Sequence, residues 1–75
     1  MPVNQLEKSV LTRLIQKGGT GNVMEFLQEG KDFDSGFHFA NEMQNKDLVK
    51  LLYSNFNKNL IVVELTLLGI KEGKE

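Results

Sequence analysis

Between Asp47 and Gly69 the chain reads DLVKLLYSNFNKNLIVVELTLLG, two apolar segments on either side of an asparagine-rich turn. Branched and aromatic runs bounded by turn residues read as an antiparallel hairpin, with strands over about 48–54 and 60–66. The register follows from matching the side chains. A turn centred on Asn57 sets Val49 opposite Leu65, Leu51 opposite Val63 and Tyr53 opposite Ile61 on one face. The other face then pairs Lys50 with Glu64 and Leu52 with Val62, so apolar meets apolar and the interior charges meet with opposite sign. A slip of one residue would send every side chain to the wrong face. Asn55–Asn59 forms the loop, where asparagine suits the positive φ that tight connections need.

Three helical segments are expected before the hairpin. Leu6, Val10, Leu11, Leu14 and Ile15 recur at helical spacing over about 4–17. Asn4 and Glu7 form a capping box at the start, and Lys17-Gly18-Gly19 is a stop signal. The Gly18–Gly21 run lacks the Gly-Lys-Ser/Thr ending of a phosphate loop and reads as a link. A second helix is expected over about 22–29, capped by Asn22, with Val23, Phe26 and Leu27 inward and Gly30 at its end. A third, over about 35–46 and capped by Ser35 or Asp34, puts Gly36, Ala40 and Met43 on one side, flanked by Phe37 and Phe39. His38, Asn41, Glu42 and Asn45 lie opposite. Asp47 stands at the exit, a residue type that tolerates left-handed backbone. Thr66 caps at most a short turn, and a tail over 71–75 has little to bury.

Size narrows the classes. Seventy-five residues make one domain, near the lower limit for a fold held by a core alone. There is no cysteine and a single histidine, so neither disulfides nor a zinc site is expected. A net charge of −1 carries no announcement of nucleic acid. No apolar run approaches the ~20 residues that span a bilayer, and MPVNQLEKSV lacks the apolar core of a secretory signal. The expectation is a cytoplasmic protein with no membrane segment, metal or cofactor.

The order helix, helix, helix, hairpin over residues 4–70 resembles the winged helix-turn-helix family. Ala40, Met43, Leu48 and Val49 fill the apolar positions with which that family runs its third helix into the wing. Leu65, Thr66 and Gly69 match the Leu-Thr-x-x-Gly that often ends its second wing strand. Asp47 stands where the family usually has glycine, the closing helix is nearly absent, and the wing carries one lysine. The resemblance implies an α+β fold, a three-helix winged helix-turn-helix with a C-terminal two-stranded antiparallel β-hairpin.

It also implies double-stranded DNA as the partner and a small transcriptional regulator as the function. The outer face of the third helix would enter the major groove, with His38, Asn41 and Asn45 as base readers, since asparagine bonds adenine bidentately. Lys46, Lys50 and Lys58 would hold phosphate. The plainer reading is a solvated face, in which Glu42 repels phosphate and Glu64 occupies Lys50. No nucleophile or paired carboxylate accompanies His38, so no enzyme is expected. Asp32 and Asp34 read as caps, and Phe33, Phe37 and Phe39 as core or core edge. Leu52, Leu60 and Val62 on the second hairpin face, with Leu11 and Ile15 at the edge of the first helix, exceed what three helices can cover. Such a surplus predicts a homodimer. The alternative function is a protein–protein interaction module that binds no nucleic acid.

Overall fold

The computed structural model describes residues 3–27 and 32–74. Among them the order is α1 (Gln5–Gln16), β1 (Thr20–Asn22), a 3-10 turn (Val23–Glu25), α2 (Phe33–Asn45), β2 (Val49–Asn55), β3 (Leu60–Leu65) and α3 (Leu67–Lys74). The strands form one antiparallel sheet in the order β1-β3-β2. This corrects the expected architecture, because a third strand lies between the first two helical segments and a helix follows the hairpin. Val23–Glu25 makes a single 3-10 turn, followed by a turn and bend at Phe26 and Leu27, where a full helix was expected; residues 28–29 and the Gly30 stop lie outside the described residues.

β1 has a physical cause. Gly18 and Gly19 take φ of +90° and +101°, which lets the chain reverse directly after α1. Gly19 is held on both sides, donating its N–H to the Leu14 carbonyl and accepting from Leu65 N–H. Thr20, Gly21 and Asn22 then fall against Glu64, Val63 and Val62, closing the side of β3 that β2 leaves free. Asn22 extends the seam. Its Oδ1 accepts from Met24 N–H at 3.1 Å and Ile61 N–H at 2.8 Å, and its Nδ2 donates to the Asn59 carbonyl at 3.3 Å.

The hairpin keeps the expected pairs Val49–Leu65, Lys50–Glu64 and Leu51–Val63, then departs from them. A bulge between Leu51 and Tyr53 sets Tyr53 opposite Val62, Ser54 opposite Ile61 and Asn55 opposite Leu60. The turn shortens to Phe56–Asn59, with Asn59 at φ +55°. Asp47, at φ +62°, turns the chain from α2 into β2.

Val10, Leu11, Leu14, Val23, Ala40, Met43, Leu48, Val49, Ile61 and Val63 form the core. α2 begins two residues earlier than expected, with Asp32 as the cap that accepts from Ser35 N–H at 2.8 Å. It lies against the outer edge of β2, where Gln44 Oε1 accepts the Leu51 N–H at 2.8 Å. At its other end Phe33 stacks on Phe37 with centroids 5.9 Å apart and meets Phe56 of the turn edge-on at 5.4 Å. The hairpin is thereby tied to α2 at both ends.

α3 occupies 67–74, where a turn and tail were expected. Thr66 Oγ1 accepts the Gly69 N–H at 3.0 Å and donates to the backbone carbonyls of Asp47 and Leu48. A Cβ at Gly69 would collide with the Leu48 carbonyl oxygen, so only glycine allows this approach. One turn on, Gly73 packs against Leu11 and Ile15, and its carbonyl accepts Thr12 Oγ1 at 3.2 Å. The Leu-Thr-x-x-Gly segment is thus a fastening that seats α3 on α1 and on the start of β2. No helix of the described residues is long and apolar enough to cross a membrane.

Candidate interaction surfaces

The sheet has one face on the core and one face outward. Ile61 and Val63 are fully buried, so alternation along β3 turns Leu60, Val62 and Glu64 the other way. Partners in an antiparallel pair share a face, which places Tyr53 beside Val62, Asn55 beside Leu60, and Lys50 and Thr20 on either side of Glu64. The bulge adds Leu52, so that Leu52 and Tyr53 together oppose Val62. Leu52 is 48% exposed and Tyr53 50%, with Leu60 and Val62 half-buried between them and β1. The Tyr53 hydroxyl accepts from Asn55 Nδ2 at 2.9 Å, which holds the ring at the edge of the patch.

Three of the expected interface residues, Leu52, Leu60 and Val62, therefore fall in one patch. The other two do not. Leu11 is fully buried and Ile15 half-buried, because α3 covers the edge of α1 that looked surplus in the sequence. Tyr53 joins the patch through the bulge, which has no sequence signal. Two further apolar side chains, Leu67 and Leu68, are exposed at the start of α3.

The candidate DNA contacts divide in a similar way. His38 and Asn45 are exposed along α2 and Asn41 is half-buried. Asp34 and Glu42 are exposed on the same helix, and His38 Nε2 lies 3.6 Å from Glu42 Oε1. Lys46 is not available to phosphate. Its Nζ lies 2.9 and 3.0 Å from the two Glu7 oxygens, and Glu7 is 1% exposed. Glu7 Oε1 also accepts the Asn4 N–H at 3.0 Å, so the capping box of α1 and the end of α2 share one buried carboxylate. A charge taken from water needs such a partner, which explains why Lys46 turns inward. Lys50 and Lys58 are exposed and form no ion pair among the described residues; Lys50 and Glu64 are cross-strand neighbours only. Two lysines and a helix face bearing two carboxylates make a weak phosphate-binding surface.

No family model, curated protein or solved structure matches the chain.

Proposed function

We propose that this chain is a small cytoplasmic association domain that pairs with a second copy of itself through the outer face of its sheet. The observation that carries the reading is the patch of Leu52, Tyr53, Leu60 and Val62, contiguous by register and half-open to solvent. Burying such a patch is worth ~25 cal/mol per Å² of apolar area. Lys50 and Glu64 stand side by side at its end. In a two-fold contact each residue of one copy meets the reciprocal residue of the other, so a neighbouring lysine and glutamate are self-complementary. The hairpin is rigid enough to present the patch, since Gln44 and the Phe33–Phe56 contact hold it to α2.

Duplex DNA is the second reading. It is favoured by one arrangement, the polar face of α2 carrying His38, Asn41 and Asn45 ahead of a hairpin whose Lys50 and Lys58 are unpaired among the described residues. A sequence-specific regulator built this way would lose discrimination with Asn41→Ala, by ~1–3 kcal/mol for one bidentate contact. Lys58→Ala would lower affinity for every sequence and flatten the salt slope by about one unit.

One pair of measurements decides between them. Sedimentation velocity of the wild type and of Leu52→Lys tests association, and a fluorescence titration with random duplex at low salt tests DNA. The association reading expects a dimer at micromolar concentration, a monomeric variant and no salt-sensitive DNA binding. A wild type that stays monomeric while binding duplex with a steep salt dependence overturns it in favour of the second reading.

A further inference from the structure

A second surface, separate from the sheet patch, lies between α1 and α2. It is an open groove of about 620 Å³, lined on the α1 side by Asn4, Leu6 and Glu7 and on the α2 side by residues from Asp34 to Lys46, with Leu27 contributing apolar surface. That volume falls in the ~300–1,000 Å³ range of sites that hold ligands.

Its chemistry is one-sided. Leu6, Leu27 and Phe39 supply the apolar part, and Leu6 is exposed. Asp34 and Glu42 stand exposed along the α2 side. Lys46 is the one lysine or arginine among the described lining residues, and Glu7 already neutralises it through both carboxylate oxygens. The described lining therefore joins an apolar surface to two exposed carboxylates, with its one cation already neutralised. Phosphate is repelled by that combination. An apolar segment with flanking cations meets it on both counts, because its side chains enter the groove while its charges reach Asp34 and Glu42.

We propose that this groove docks a short amphipathic peptide segment of a partner protein, apolar on one face and bearing lysine or arginine beside it. The inference does not depend on self-association, since the groove shares no residue with the outer sheet face.

The test uses the full chain, labelled with ¹⁵N, and three short synthetic peptides: leucine–lysine, leucine–glutamate and serine–lysine. The leucine–lysine peptide is expected to bind at micromolar concentration and to shift the amide signals of Leu6, His38, Phe39 and Glu42. The other two are expected to bind at least about tenfold more weakly, each lacking one half of the complementarity. Reversing both exposed carboxylates with Asp34→Lys and Glu42→Lys is expected to weaken the leucine–lysine peptide by about tenfold and to remove the effect of added salt. Leu6→Ser reads the apolar part independently, should the charge reversals lower stability. Signal shifts confined to the Leu52–Val62 patch, equal binding of the leucine–glutamate peptide, or no binding at all would overturn the proposal. None of these outcomes bears on the dimer, which sedimentation reads without peptide.

Discussion

Replacing Lys46 by methionine removes the only cation that pairs with the Glu7 carboxylate among the described residues, while keeping most of the volume of the side chain. Glu7 is almost fully enclosed, and three of its contacts are fixed: Nζ of Lys46 at 2.9 and 3.0 Å and the Asn4 N–H at 3.0 Å. Deleting one partner of a buried ion pair costs ~3–5 kcal/mol, because the remaining charge stays desolvated. The Lys46 side chain is 22% exposed, so water reaches this end of the pair and the capping N–H remains. A loss of about 2–4 kcal/mol follows. At ~0.05–0.15 kcal/mol per residue, a chain of this length has about 4–11 kcal/mol in total, so the variant sits near the edge of folding. Urea unfolding followed by circular dichroism measures the loss, and the midpoint temperature should fall by at least about 8 °C. The double variant Glu7→Leu, Lys46→Met should recover part of it, since no buried charge is left. A Lys46→Met protein within ~0.5 kcal/mol of the wild type, the range of an ordinary surface substitution, would refute the reasoning.

Three further substitutions test the fastenings of the fold. Gly69→Ala gains ~1 kcal/mol of helix propensity, yet the collision with the Leu48 carbonyl should give a net loss of about 1–3 kcal/mol, and an unchanged or raised melting temperature would contradict the close approach. Asn22→Ala strips the acceptor of Ile61 N–H and Met24 N–H, with an expected loss of about 1–3 kcal/mol in denaturant unfolding and faster amide exchange at Ile61. Asp47→Gly relieves the positive φ between α2 and β2, and should raise stability by about 0.5–1 kcal/mol in the same assay.

The sequence was legible where side-chain chemistry is local. Lys50 opposite Glu64 could be read because charge and alternation both select that register, and Asn4 with Glu7 because a capping box spans three residues. The bulge at Leu52 could not, since Leu51, Leu52 and Tyr53 are all large and either register leaves an apolar residue opposite Val62. β1 escaped because Thr20-Gly21-Asn22 has no apolar alternation; its pairing is imposed by the free side of β3. α3 escaped for the opposite reason. Its buried positions are Gly69 and Gly73, which hydropathy patterning does not register although neither leaves room for a Cβ without a shift of its neighbours. With α3 unseen, Leu11 and Ile15 looked like spare apolar surface, and with Glu7 read only as a cap, Lys46 looked free for phosphate. Leu52, Leu60 and Val62 remained visible as a patch because no described residue packs over that face of the hairpin closely enough to close it.

Self-association through that face is most directly tested by isotope-filtered nuclear Overhauser measurements on a mixture of labelled and unlabelled chains at millimolar concentration. The account predicts intermolecular contacts from the Tyr53 ring to the methyl groups of Leu52, Leu60 and Val62 of the other copy, lost in Leu52→Lys. Contacts centred on Leu67 and Leu68 instead, or none while the wild type sediments as a monomer, would contradict it.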